Sequence, residues 1–306
     1  MPAADVFVSL VNTDNRDVLR RCLASLRAAA ENLVMEVAVL DNASSDGSAE
    51  MVAAEFPWAT LRRNQRRLGF SANHNQLLRP ALDSGKFRHL LILNEDTVLD
   101  PGSVARLAAC LDRRPDLGAV GPLIRGVDGE TQPSYFRFPS ASTQVLAAVG
   151  LGVQEQAPGL PGWLNGSCVL VRAAALREVG ALDERFFIFF EDTDLGLRLL
   201  RAGYGSDVCP EATILHLGHS TVAKPAHGSA FERQMHRSRH LYLAKHRGQA
   251  AAHLSTVGVR AGLAARATKA GVAGLVGRDP EERLLARQLA GLAGYNPWVS
   301  LPHEQG

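Results

Sequence analysis

Cysteine, methionine, tryptophan and long apolar runs are all scarce in this chain of 306 residues. Four Cys, Cys22, Cys110, Cys168 and Cys209, stand far apart without a CxxC pair and read as free thiols of a reducing compartment. No apolar run approaches the roughly 18–20 residues that cross a bilayer. Met1-Pro-Ala-Ala-Asp5 lacks the basic region and apolar stretch of a signal peptide, so a cytoplasmic protein is expected. Three nucleotide or acyl-transfer signatures are also missing. There is no G-x-G-x-x-G after the first apolar run, no phosphate loop of the G-x-x-x-x-G-K-[ST] type and no G-x-S-x-G.

What is present is ordinary soluble composition, with 46% hydrophobic and 21% charged residues. This excludes a disordered, collagenous or coiled-coil chain. The net charge of +2 conceals an asymmetry. Residues 1–223 hold 21 Lys/Arg against 26 Asp/Glu, whereas 224–306 hold 12 against 5. An acidic body over 1–222 and a basic, Ala- and Arg-rich helical extension over 223–306 are therefore expected. The extension's charge suits an anionic lipid surface as a peripheral contact on the inner face of a membrane. A solvated helical face would look the same. Gly262, Gly271 and Gly274 weaken any amphipathic helix over 261–276. Nucleic acid is not expected as a partner, because aromatics are few there and no recognition module is present.

Short apolar runs alternate with helical spacing through the first hundred residues. Val6–Val11, Val34–Leu40 and Leu90–Leu93 read as buried strands, and Val18, Leu19, Cys22, Leu23 and Leu26 recur at helical intervals. Such alternation predicts a largely parallel sheet covered on both faces, with ligands at the carboxyl ends of its strands. Asn12, Asp41 and Asp96 fall at those ends. From 121 to 162 the pattern weakens into loops with a short helix near 144–149. A strand is expected over Trp163–Val171, a helix over Ala173–Val179, and another from Glu191 towards Gly203.

The candidate chemistry is carried by carboxylates. Asp41 opens the polar turn Asp41-Asn-Ala-Ser-Ser-Asp-Gly-Ser48 and could accept the imide N–H of uracil or thymine, or serve as a helix cap. Asp96, in Asn94-Glu95-Asp96 at the mouth of a buried strand, is placed to bind a divalent cation or to satisfy its loop. Glu191-Asp192-Thr193-Asp194 sits at a helix N-terminus, where a carboxylate stays ionised and able to take a proton, or caps the helix. His216 or His219 could complete a metal site through a neutral ring nitrogen.

Taken in chain order, Val8-Ser-Leu-Val-Asn12, the 41–48 turn, Gly69-Phe-Ser71 with Asn73 and Asn75, Leu93-Asn-Glu-Asp-Thr97, Trp163-Leu-Asn-Gly-Ser167, Phe190-Glu-Asp-Thr-Asp-Leu195 and Pro210-Glu-Ala through His216 resemble the family 2 glycosyltransferases, notably their rhamnosyltransferase-like branch. The resemblance covers about 5–221. It implies a GT-A fold, α/β with a Rossmann-like nucleotide-binding half and an acceptor-binding half. It further implies an inverting, metal-dependent enzyme using Mg²⁺ or Mn²⁺. The donor would be a dTDP- or UDP-sugar, with rhamnose favoured, and the acceptor a saccharide, a lipid-linked sugar or a small molecule. By the same resemblance, Asp192 is the general base and Asp96 and His216 are metal ligands. Asn12, Asp41, Asn42, Gly69, Asn75, Asn94 and Glu95 bind the nucleotide-sugar. Trp163, Asn165, Gly166, Glu191 and Asp194 form the acceptor and sugar pocket. Two other readings stand beside it. A sugar nucleotidyltransferase would need a Gly-rich basic loop after the first strand, which Asn12–Asn15 is not. A catalytically silent binding or scaffold relative would not need Asp96, Asp192 and His216.

Overall fold

The computed structural model describes residues 5–148, 159–218, 230–277 and 280–297. His219 and Trp298 lie outside them. The described residues form two compact units, one of 5–138, 159–185 and 191–218, the other of 139–148, 186–190, 230–277 and 280–297. Two short stretches inside 1–222 thus pack with the C-terminal helices.

The first unit runs β1 (Val6–Asn12), α1 (Arg16–Ala30), β2 (Met35–Asp41), α2 (Ser48–Glu55), β3 (Thr60–Arg63), α3 (Phe70–Ser84), β4 (His89–Asn94), β5 (Thr97–Leu99), α4 (Ser103–Arg113), β6 (Leu117–Arg125), β7 (Thr131–Gln132) and β8 (Tyr135–Phe136). After α5 (Ala141–Ala148), which belongs to the other unit, come β9 (Trp163–Leu164), β10 (Cys168–Arg172), α6 (Ala173–Val179), α7 (Glu191–Arg201) and β11 (Gly205–His216). The main sheet has the order β3-β2-β1-β4-β10-β6-β11-β5. β1 to β4 pair in parallel, β10 is antiparallel to both β4 and β6, and β11 is parallel to β6 but antiparallel to β5.

The alternation along β1 shows why both faces are covered. Val6, Val8 and Leu10 join one core with Leu19, Leu23 and Leu26 of α1 and Leu107 of α4. Phe7 and Val11 join the other with Leu78 of α3 and Leu176 of α6. Truncating a wholly buried leucine such as Leu10 to alanine costs about 2–5 kcal/mol in cores of this kind.

Two elements depart from the sequence pattern. The predicted strand over 163–171 is two strands in different sheets, β9 pairing β8 and β10 entering the main sheet, with a turn at 165–167 between them. There Asn165 Oδ1 accepts the Ser167 amide at 3.0 Å. α3 carries no apolar signal in its first half, because its buried face there is polar: Asn73, His74 and Asn75. His74 is held by Ser9 at 2.8 Å, and burial alone pushes its pKa down to about 3.

The second unit holds α5, the run Phe186–Phe190, α8 (Ala230–Arg247), α9 (Gln249–Val276) and α10 (Pro280–Gly294). Ser238 donates to the Ile188 carbonyl at 2.7 Å, and Phe189 packs edge-on against Phe231. Val259, Leu263 and Ala267 of α9 meet Leu289 and Leu292 of α10. α9 is unbroken through the glycines expected to weaken it. Gly262 and Gly274 are buried, and a Cβ on Gly271 would lie 3.7 Å from Ala286. A Cβ on Gly258 would come within 2.6 Å of Val145 on α5. Gly258 is thus a close-approach position between α9 and α5.

Candidate active site

The strand ends converge as the periodicity predicts. Register places Asn12 opposite Asp41 and Val11 opposite Asn94, so three loops leave the same edge of the sheet side by side. The helix-cap alternative for Asp41 is resolved by its neighbour. Asp46 accepts the amides of Ser48 at 3.0 Å and Arg16 at 2.8 Å, and so ties down the start of α2 and of α1. Asp41 accepts only the Ser44 amide, at 3.1 Å through Oδ2. Its Oδ1 is buried without a partner, as is Oδ1 of Asn12. Two adjacent acceptor oxygens withheld from water carry a desolvation cost that a donor on a ligand would relieve.

Asn42 and Asn75 have every amide atom engaged within the protein. Asn42 donates to Thr13 and the Leu68 carbonyl and accepts from the Leu68 amide and Asn64. It therefore fixes the loop that leads to Gly69, the residue before α3. Asn75 donates to the Leu182 carbonyl at 2.7 Å and to Glu184 at 2.9 Å, and accepts the Leu182 amide at 3.0 Å. Both shape the walls of the site through backbone they hold.

Among the described residues, Asp96 is a carboxylate with both oxygens buried and unpartnered. It lies in the turn between β4 and β5 and is wholly buried. The antiparallel pairing of β5 with β11 sets His216 opposite Thr97, and the Leu217 amide donates to the Asp96 carbonyl at 2.8 Å. His216 Nε2 consequently lies 3.3 Å from Asp96 Oδ2. His216 Nδ1 is 3.1 Å from Gln132 Oε1, an acceptor, which orients the ring and points Nε2 at the carboxylate. A buried carboxylate that receives no hydrogen bond calls for a positive charge beside it. A carboxylate oxygen and a neutral imidazole nitrogen fixed by a further hydrogen bond are a donor set that fits Mg²⁺ or Mn²⁺. Glu95 accepts from Asn15 at 2.9 Å; burial, then the charge of Asp96, pushes its pKa up to about 7. Asn94 is tied to the turn after β9, its amide donating to the Ser167 carbonyl at 2.9 Å.

That turn leads to the second carboxylate. The Gly166 amide donates to Asp192 Oδ2 at 3.1 Å, and a Cβ at 166 would lie as close to the same oxygen, so a larger residue would crowd the contact. Asp192 Oδ1 accepts the Thr193 amide at 2.6 Å. Burial raises Asp192 to about 6, and these amide hydrogen bonds hold it from rising further. Glu191, with Oε2 buried and unpartnered, is pushed well above the usual carboxylate range by burial and then by the Asp192 charge. Asp192 borders, with Glu191 and Ser206, a pocket whose other side chains are apolar, among them Phe70, Ile92, Leu164 and Leu195. Asp194 is spent differently: wholly buried, it pairs with Arg198 at 2.8 Å. Arg198 also donates to the carbonyls of Val179, Gly180 and Ala181. Trp163 stacks on Phe136 with ring centroids 4.8 Å apart and donates to the Arg137 carbonyl. Gln132, Asn15 and Asn64 complete the arrangement, each acting on a residue distant in the chain.

A nine-stranded sheet of this order with ligand groups at its strand ends is the architecture of GT-A glycosyltransferases. Among solved structures the chain is similar to the mannosyltransferase PcManGT from Pyrobaculum calidifontis in complex with GDP-Man and Mn²⁺, at a TM-score of 0.58 and 17% identity, covering 96% of this chain and 87% of that one. The likeness establishes the fold. The family follows from sequence: residues 2–239 match the model of glycosyltransferase like family 2, and the chain belongs to that family. It is 37% identical over 254 residues to the N-acetylglucosaminyl-diphospho-decaprenol L-rhamnosyltransferase of Mycobacterium tuberculosis (strain H37Rv), covering 75% of this chain and 81% of the relative. It is 27% identical over 230 residues to galactofuranosyltransferase GlfT1 of the same organism, covering 72% of each. The chain is a rhamnosyltransferase-like glycosyltransferase.

Proposed function

We propose that the chain transfers a sugar, rhamnose before other hexoses, from a dTDP- or UDP-sugar to a hydroxyl of a diphosphate-lipid-linked saccharide, with inversion at the anomeric carbon. The observation that carries this reading is the Asp96 carboxylate, buried without a hydrogen bond 3.3 Å from His216 Nε2. Asp96 and His216 would hold Mg²⁺ or Mn²⁺, which when bound neutralises the diphosphate leaving group. The unpartnered oxygens of Asp41 and Asn12 suit the imide and neighbouring donors of a pyrimidine base. Asn94 and Glu95, on the same strand end, are placed to meet the ribose and diphosphate, and Gly69 lets the backbone approach. Trp163 with Phe136 offers an aromatic wall to a sugar ring. Asn165, Gly166 and Glu191 shape the pocket around Asp192, and Asp194 braces α7 from within.

Asp192 acts as general base. Raised to about 6, it is mostly ionised at neutral pH yet basic enough to accept a proton. The acceptor oxygen forms its bond to the anomeric carbon as the bond to the nucleoside diphosphate breaks. The hydroxyl proton passes to Asp192, and the nucleotide departs with the electron pair. The named acceptor of the mycobacterial rhamnosyltransferase supports a lipid-linked substrate here. The pairing of that relative's rhamnose with an imide-reading Asp41 supports a deoxythymidine or uridine donor.

The test is calorimetric titration with UDP, dTDP, GDP and ADP, each with and without Mn²⁺. Metal-dependent binding of dTDP or UDP, lost in Asp96→Ala, is expected. Binding of no nucleotide in the presence of metal would refute the reading. Inversion is read separately, from the anomeric configuration of the product by NMR.

A further inference from the structure

α9 carries a face that the helical unit does not bury. Leu254, Val257, Val272, Leu275 and Val276 are 55–82% exposed. At helical spacing these positions share one stripe about 120° wide, with Ala261, Ala264 and Thr268 filling the steps between. The stripe runs from 254 to 276, roughly 33 Å at 1.5 Å per residue, and holds no charged residue. The opposite face is the one packed on α10 through Val259, Leu263 and Ala267. α5 meets the edge of the stripe near its start, where a Cβ on Gly258 would come within 2.6 Å of Val145, and leaves the exposed residues named above open.

What lies beside the stripe decides its occupant. α9 contains Arg260, Arg266 and Lys269 and no acidic residue. Lys269 borders the stripe at helical spacing and is exposed, as is Arg266, whereas Arg260 on the other border donates to the Ala293 carbonyl of α10 at 2.6 Å. The surrounding sequence from 224 to 306 has 12 Lys/Arg against 5 Asp/Glu. Two copies of this face laid together would bring like charge against like charge along both rims. An anionic lipid surface takes both the apolar stripe and its basic margins, with the long side chains reaching up to the headgroups. No described helix is long and apolar enough to cross a membrane, so the fit is a helix lying in the interface.

We infer that α9 is a membrane-docking helix whose Leu254–Val276 face enters an anionic bilayer. The inference draws its purpose, but none of its evidence, from the lipid-linked acceptor proposed above. The test is flotation of the full chain with phosphatidylcholine vesicles, with and without phosphatidylglycerol. The chain is expected to float with the anionic vesicles. Partition should fall about tenfold or more in Leu254→Asp/Leu275→Asp and again in Arg266→Glu/Lys269→Glu, the second loss being mimicked by salt. All four side chains are exposed, and unchanged melting temperatures will show that the variants fold. No flotation of the wild type, or flotation indifferent to both pairs of substitutions, overturns the proposal. So does light scattering that shows a dimer dispersed by Leu254→Asp/Leu275→Asp without vesicle binding. Calorimetric binding of nucleotide and Mn²⁺ by the same preparations reports on the transferase reading independently, so either result can fail while the other holds.

Discussion

The sheet unit buries carboxylate oxygens without partners, and the helical unit exposes a run of apolar side chains along one helix. In the first, oxygens of Asp41, Asp96 and Glu191 are buried without a hydrogen bond. In the second, Leu254, Leu275 and Val276 are at least 69% exposed. Ordinary folding does neither, because each arrangement leaves a free-energy cost standing. The two departures differ in kind. An orphaned carboxylate calls for a small, charged, directional partner, whereas an uncharged helical stripe calls for a broad and non-directional one. Where a chain departs from the burial rule thus says what class of partner it awaits.

Asp96 offers the largest test of this contrast. Asp96→Asn should lower transfer by about 10²–10³-fold, as removal of a preorganised charge-stabilising group does elsewhere. It should at the same time raise the melting temperature of the metal-free protein, because the amide relieves a buried charge. Thermal melts with and without Mn²⁺ check both parts, and a fall in melting temperature without metal would break the comparison.

Asp192 comes next. Asp192→Asn should reduce kcat by about 10²–10⁴-fold while leaving nucleotide binding intact. In the wild type, kcat/KM should rise with pH up to about 6 and then level, and the variant should lose this limb. The same shift acts on stability with a definite sign. Asp192 binds its proton more tightly folded than unfolded, so its contribution falls as pH rises from about 4 to about 6 and stays unfavourable above. Glu191 is shifted in the same direction. Replacing Asp192 by Asn should therefore flatten the fall in urea-derived stability over that range.

Asn75 measures ordinary, satisfied burial in the sheet unit. Asn75→Leu strips both backbone groups of Leu182 of their partner and should cost about 1–3 kcal/mol in urea unfolding. The smallest effects belong to the helical unit and separate its two kinds of glycine. Gly291→Ala, with nothing within 4 Å, should stabilise by up to about 1 kcal/mol. Gly258→Ala, which meets Val145, should destabilise by about 1–3 kcal/mol.

Legibility in the sequence followed the same division. The strand ends were readable because four or more apolar residues stopped at a carboxylate or an asparagine, as at Leu40-Asp41 and Leu93-Asn94. The α6 and α7 helices were readable from spacing closed by glycine. Gln132 was not, because its place beside His216 depends on a two-residue strand whose register is set by β6. Asn42 and Asn75 carry no mark that separates a residue facing a ligand from one bracing backbone. The glycines of α9 read as helix breakers until α5 and α10 were seen packed on them.

The position of β5 has a consequence for how the protein is made. Thr97–Leu99 follows β4 directly in the chain but pairs in the sheet with β11, whose contact residues are 214–216. A growing chain must therefore add more than a hundred residues after Asp96 before the strand that pairs with β5 is made. Folding of the sheet unit must wait on its last strand, and contacts so distant in sequence form slowly. A nascent or truncated chain that ends before residue 214 would lack the partner of β5 and half of the proposed metal site, so the capacity to bind nucleotide with metal should appear all at once, late in translation, and never in a fragment.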